Sequence, residues 1–229
     1  MAGLSVVIPT LEEAGRLPLL LADLQRWPGE LEVVVCDGGS RDHTRQVAQL
    51  AGATVLKSPR SGRGPQLRWG VDHSRYAWVL VLHADSRLPN LWHRRVGQVL
   101  SRPEAHLSAW SFDFQVDAEM RPMLWLLARM VNLRSHWLQR PYGDQGLLIH
   151  RQLYQRVGGY RPLALMEDLD LVERLSKVAP LRSLNLALRT SAQRWQTRSV
   201  LAQAWRNARL RWLWRRGRST EQLLRIYRR

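Results

Sequence analysis

Short apolar runs alternate with amphipathic stretches through the first hundred residues of the chain. Leu4-Ser-Val-Val-Ile8, Leu31 to Cys36, Ala53-Thr-Val-Leu56 and Ala77 to Leu82 are dense in aliphatic and β-branched side chains and read as strands. The segments between them, at 13–26, 42–51 and 63–73, have helical spacing. Each crossover is long enough for a helix and none carries a two-residue hairpin signal, so the pattern predicts a parallel sheet covered on both faces. Open sheets of this kind take ligands beyond the carboxyl ends of their strands. Pro9-Thr10, Asp37-Gly-Gly-Ser40 and His83-Ala-Asp85 all fall there.

The second half is patterned differently. A strand is expected near 106–116, then a helix from Met123 to Trp137, whose apolar run Pro122 to Ala128 is cut by Arg129 and falls short of the roughly 18 residues a bilayer span requires. A turn at Pro141-Tyr-Gly-Asp144 leads to a short strand, Gly146 to Ile149, and a helix from Arg151 that ends at Gly158-Gly159. An acidic helix follows from Glu167 to Val178. Residues 199–216 are strongly helical, with Leu201, Trp205, Ala208 and Trp212 on one stripe and arginines beside it. The expected organisation is an α/β domain over 1–192, with a nucleotide-binding part at about 1–100 and an acceptor-side part at about 101–192, and a basic helical tail over 193–229.

Composition narrows the class. With 45% hydrophobic and 24% charged residues over 229 positions, the chain belongs with globular rather than disordered proteins. Its one cysteine, Cys36, excludes an internal disulfide and lies inside a strand-like run, which points to a reducing, cytosolic compartment. The first residues enter a strand without the basic and apolar regions of a signal peptide, so a soluble or peripherally bound protein is expected. Net charge is +16, yet residues 194–229 hold eleven arginines against the single acid Glu221, leaving the rest of the chain only mildly basic. Arginine binds phosphates bidentately and stacks on aromatic rings, and the tail also carries Trp195, Trp205, Trp212 and Trp214. An anionic partner is implied, such as the inner face of an anionic membrane. Nucleic acid is disfavoured, because the charge sits in one tail and no nucleic-acid motif precedes it.

Carboxylates held at strand ends in so basic a chain need a chemical reason. An Asp delivered by a strand to the mouth of a parallel sheet, as Asp85 is, can hold a divalent ion against a diphosphate. A second carboxylate, at Glu167-Asp168, can take a proton from an attacking hydroxyl, although acids in a helix's first turn are also favoured by its dipole. Arg60-Ser-Gly-Arg-Gly64 is a cationic Gly-rich loop opening a helix, a combination suited to phosphates. Asp37 before two glycines can equally start a turn, and Asp42 suits a helix cap.

Val6-Val-Ile-Pro-Thr-Leu-Glu-Glu13, Val35-Cys-Asp-Gly-Gly-Ser-Arg-Asp-His-Thr44, Leu82-His-Ala-Asp-Ser86, Gly158-Gly-Tyr160 and Glu167-Asp168 occur in the order and spacing of the family 2 glycosyltransferases, which the chain resembles over about 1–178. The tail, with Arg194-Trp195 and Leu223 to Arg228, resembles a small bacterial subgroup labelled radical-SAM or selenodomain-associated transferases. The resemblance implies a GT-A fold, a Rossmann-like, mainly parallel sheet flanked by helices, and inverting transfer from a nucleoside-diphosphate sugar to a hydroxyl acceptor. It implies donor contacts from Pro9, Thr10, Glu13, Asp37 and Arg63, and Mg²⁺ or Mn²⁺ at Asp85. His83 replaces the first acid of the family's Asp-x-Asp motif, at the position that meets the ribose. Asp168 would be the base, with Glu167 orienting it and Asp170 in reserve. Asp144 and Gln145 resemble an acceptor-side loop, and Arg194-Trp195 resembles the end of a Gln-x-x-Arg-Trp motif whose Gln position is Ser191, so processivity is not implied. Glu12 and Arg68 stand where relatives have Asn. A catalytically inactive nucleotide-sugar or membrane-surface binding protein is the alternative that His83 keeps open.

Overall fold

The computed structural model describes residues 2–60, 62–117, 122–191 and 200–228. Its strands are β1 (Leu4–Thr10), β2 (Leu31–Asp37), β3 (Thr54–Lys57), β4 (Trp78–Val81), β5 (Ser86–Arg87), β6 (Ala109–Asp117), β7 (Leu147–His150) and β8 (Leu181–Ser191). They form one sheet in the order β3-β2-β1-β4-β7-β6-β8-β5. The first four are mutually parallel, as their crossovers require, whereas β7 runs antiparallel to both β4 and β6.

The helices are α1 (Leu17–Leu24), α2 (Thr44–Leu50), α3 (Arg63–Asp72), α4 (Trp92–Leu100), α5 (Pro122–Leu138), α6 (Arg151–Arg156), α7 (Glu167–Leu175), α8 (Val200–Arg215) and α9 (Thr220–Arg228). Because side chains alternate across a strand, Val6 and Ile8 of β1 point to one face and Val7 to the other. The first face packs on Leu17, Leu20 and Leu24 of α1 and Trp92 and Val96 of α4. The second packs on Leu67 and Val71 of α3 and Leu171 and Leu175 of α7. Each aliphatic side chain buried there contributes about 1.5–3 kcal/mol. Cys36 lies in the second core, where burial pushes its thiol up to about 12 and leaves it unreactive at neutral pH.

The short strand β5, helix α4 and strand β8 were not anticipated. Helix α4 buries Trp92, which stacks on Trp27 at 5.5 Å and donates its indole N–H to the Asp23 carbonyl at 3.0 Å. Strand β8 escapes a period-two pattern because Asn185 turns it with a left-handed φ of 53°, and its pairing with β6 slips between Ser111 and Asp113.

The tail docks through leucines rather than through its tryptophans. Trp205 and Trp212 are 68% and 52% exposed, while Leu210 and Leu213 of α8 join Leu223 of α9 against Leu165 and Met166, just ahead of α7. Arg215 adds an ion pair to Glu173 at 3.3 Å. The Trp stripe therefore faces out, and the leucines one turn around the helix do the docking. Among the described residues no helix is long and apolar enough to cross a membrane.

Candidate active site

The carboxyl ends of β1 and β2 are tied together by polar contacts. Thr10 and Asp37 are register partners, both 1% exposed, with 3.4 Å between hydroxyl and carboxylate. Asp37 accepts the backbone N–H groups of Gly39 and Ser40 at 3.0 Å each, and the Ser40 hydroxyl at 2.5 Å. In this structure its oxygens build the turn, and a contact to a base would share them. Pro9 holds the strand opposite Cys36. Glu13 anchors the following loop through its N–H to Thr44 and its carboxylate to Arg16. Asp42 accepts from Ala14 and Thr44 N–H, one residue ahead of the α2 N-cap His43 rather than at the cap itself. Glu12 has a left-handed φ of 57°, which an Asn tolerates better than most side chains; here its carboxylate holds the Arg41 N–H.

Gln66, buried on α3, was missed by sequence reasoning. Its amide donates to the Thr10 carbonyl at 2.8 Å and the Cys36 carbonyl at 2.7 Å, locking the mouths of β1 and β2 to α3. Nothing in the local pattern distinguishes it from a solvated helix Gln. Gln66→Leu removes both donors from buried carbonyls, and the expected loss is about 1–3 kcal/mol of stability, measurable by urea denaturation.

Beyond β4 the chain presents His83, which is buried, and Asp85, which is half-buried and makes no hydrogen bond or ion pair among the described residues. On the far side, left-handed Met166 (φ 68°) turns the chain so that Glu167 and Asp168 open α7, where the helix dipole favours negative charge. The Asp168 carboxylate accepts the Gly143 N–H at 2.8 Å. A Cβ at Gly143 would sit 3.0 Å from His83 Nε2 and 3.1 Å from Asp168 Oδ2, so the two side chains converge on a point only glycine leaves open. Gly143→Ala is expected to push them apart. Displacing reacting groups by about an ångström lowers turnover by roughly 10²-fold, and a modest change in thermal midpoint beside that loss would separate misplacement from unfolding.

Glu167 is 1% exposed and paired with Arg63 Nε. Burial pushes its carboxyl up, and Arg63 opposes that. Burial also works against the Arg63 charge, but Glu167 and Asp168 outweigh it and raise its pKa. Arg63 thus lies on the Glu167–Asp168 pair as well as in the loop read for phosphate. Gly64 serves packing: a Cβ there would strike the Leu163 and Arg161 carbonyl oxygens at 2.7 and 2.8 Å. Arg68 turns to Asp72 and the Tyr160 carbonyl.

Arg63, His83, Asp144, Glu167 and Asp168 line one cleft of about 690 Å³. Its remaining walls come from α5, Tyr142 and the tail, including Leu210, Arg211 and Tyr227. Two expectations are corrected here. Gln145 is fully buried, with its side chain spent on the Phe112 carbonyl, the Ser135 hydroxyl and the Tyr142 N–H, so it shapes the loop and cannot touch an acceptor. Asp170 is 6% exposed and clamped by Arg161 and Arg174, so it is no reserve base. Arg194 and Trp195 lie outside the described residues.

Among the described residues no three His, Cys, Asp or Glu side chains cluster as a metal cage. A hard cation of the Mg²⁺ type needs only one or two carboxylates when substrate phosphates and water complete its shell, and Asp85 fits that role.

Residues 5–157 match the family described as Glycosyl transferase family 2, well over half of the chain. The chain belongs to that family. It is 29% identical over 168 residues to glycosyltransferase AglJ of Haloferax volcanii, covering 72% of this chain and 52% of that protein. The chain thus spans about half the length of this curated relative. Among solved structures it is similar to the mannosyltransferase PcManGT of Pyrobaculum calidifontis, with a TM-score of 0.66 and 17% identity over 99% of this chain and 69% of that one. S. aureus TarS 1-349 matches with a TM-score of 0.66 and 16% identity, over 83% of this chain and 60% of that one. The fold is that of the GT-A glycosyltransferases.

Proposed function

We propose that the chain is an inverting, metal-assisted glycosyltransferase that moves a sugar from a nucleoside-diphosphate sugar to a hydroxyl acceptor. The observation that carries this is the convergence of Asp168 and His83 at Gly143, in one cleft with the Arg63–Glu167 pair. Asp168 takes the proton of the acceptor hydroxyl as its oxygen bonds to the anomeric carbon. The bond from that carbon to the diphosphate breaks on the opposite face, and the nucleoside diphosphate leaves. Glu167 fixes Arg63 near the departing charge, while Pro9, Thr10, Glu13, Asp37 and His83 bound the nucleoside side of the site. Mg²⁺ or Mn²⁺ held by Asp85 would neutralise the diphosphate. Asp144, which lines the cleft, faces the acceptor; the acceptor role read for Arg194 and Trp195 rests on sequence resemblance alone.

Structural neighbours support the donor class: PcManGT was solved with GDP-Man and Mn²⁺, and TarS with UDP-GlcNAc. The sequence resemblance of the tail supports the radical-SAM or selenodomain-associated subgroup, and its arginines and outward tryptophans suit a cytoplasmic enzyme working peripherally at an anionic membrane. Nucleotide release from a panel of UDP- and GDP-sugars, with Mn²⁺ or with a chelator, tests the function. Metal-dependent cleavage of at least one donor is expected. Nucleotide binding without cleavage of any donor would instead favour the inactive binding protein.

A further inference from the structure

The acceptor side of the cleft has two features that donor binding does not use. One is a pair of arginines on a single ring. The Arg134 guanidinium of α5 lies 4.0 Å from the centre of Tyr142, and that of Arg211 from α8 lies 5.4 Å from the same ring. Both line the cleft, and neither makes a hydrogen bond or ion pair among the described residues. The Arg134 Nε is buried without a partner. Burial weighs against the Arg134 charge and Arg211 adds to that effect, while Tyr142, Asp144 and Asp168 oppose it without outweighing it. Like charges brought together with a donor left open form a socket for an anion, which guanidinium groups grip through short charge-assisted hydrogen bonds.

The second feature is an apolar track leading out of the cleft. Leu126 and Met130 line it, and with Leu133 and Trp137 they make an i, i+4, i+7, i+11 stripe along α5. A stripe with that spacing belongs in a core, yet the four are 52%, 63%, 55% and 81% exposed. Around it, arginines sit on exposed tryptophans: Arg129 on Trp125 at 5.4 Å, Arg209 on Trp205 at 5.9 Å and Arg216 on Trp212 at 4.4 Å. Neither α5 nor α8 contains an acidic residue. Paired arginine and tryptophan on two helices without acids are complementary to anionic headgroups above acyl chains.

We infer that the acceptor is a hydroxyl-bearing anionic lipid, its phosphate held between Arg134 and Arg211, its hydroxyl toward Asp168, and its chains leaving along Leu126, Met130 and Leu133. This rests on the transferase function proposed above. The head is then fixed by charge near the base while the chains never leave an apolar surface.

Calorimetry with three soluble probes tests it: monomeric dihexanoyl phosphatidylglycerol, dihexanoyl phosphatidylcholine and glycerol 3-phosphate. Phosphatidylglycerol is expected to bind about tenfold or more tighter than either of the others, the scale of one charge-assisted contact or a few buried methylenes. Arg134→Gln and Arg211→Gln should each bring it to the phosphatidylcholine level, and Met130→Glu should weaken both lipids while sparing glycerol 3-phosphate. Equal affinity for glycerol 3-phosphate would overturn the lipid in favour of a soluble phosphate, and equal affinity for phosphatidylcholine would overturn the anion socket. Wild-type phosphatidylglycerol binding in all three variants would overturn the location. Metal-dependent nucleoside diphosphate binding, followed in the same samples, reports folding. In the variants its retention shows that lost lipid discrimination is not unfolding; in wild type its presence without any preference for phosphatidylglycerol would sink the acceptor alone, whereas its absence would sink the transferase function.

Discussion

Asp168→Asn is expected to lower glycosyl transfer by about 10²- to 10⁴-fold while leaving donor affinity close to wild type, the signature of removing a general base. The substitution preserves size and can still accept the Gly143 N–H, so the loop keeps its place and only the proton acceptor is lost. Asp170 cannot take over, because Arg161 and Arg174 hold it. Glu167 is committed to Arg63. Steady-state kinetics with the best donor of the panel, together with nucleotide calorimetry, read the two quantities separately. Near-normal turnover would move the base to Asp144, the remaining carboxylate that lines the cleft.

Asp85→Ala is expected to abolish transfer and the metal-dependent part of nucleotide binding, without loss of fold. The side chain lies past the end of β4 and carries no structural hydrogen bond among the described residues, so nothing collapses when it is removed. What disappears is the carboxylate that would bring a divalent ion to the diphosphate. Titrating UDP and GDP with and without Mn²⁺ shows it: the mutant should respond to nucleotide equally in both conditions. A preserved Mn²⁺ effect would place the ion elsewhere.

Much of the fold was legible because its signals are strong and local. Strands β1 and β4 are buried along their whole length and β2 over its second half, so these read as apolar runs, and the helices between the first four strands leave only a parallel arrangement. β8 was not legible, since the left-handed Asn185 shifts the phase of its alternating leucines halfway along. Which tail residues dock was not legible for another reason: tryptophan and leucine both count as apolar in a helical stripe, but Trp205 and Trp212 face out with arginines on them, and leucines make the contact. Motif residues His83, Asp85 and Asp168 could be named from spacing. The partners that set their geometry could not. Gly143 looked like an ordinary turn glycine, and Arg63 meets Glu167 across 104 residues of chain. Arg134, Tyr142 and Arg211 belong to no motif at all; only the packing of α5, α8 and the loop before β7 brings them together.

Inverting transfer from a nucleotide sugar can be read directly from the sugar that emerges when water serves as acceptor. Proton NMR during hydrolysis of an α-linked donor should show the β-anomer first, equilibrating with the α-anomer only at the rate of mutarotation, and Asp168→Asn should suppress its appearance. An α-anomer formed first, or hydrolysis untouched by Asp168→Asn, would contradict a single displacement driven by that carboxylate.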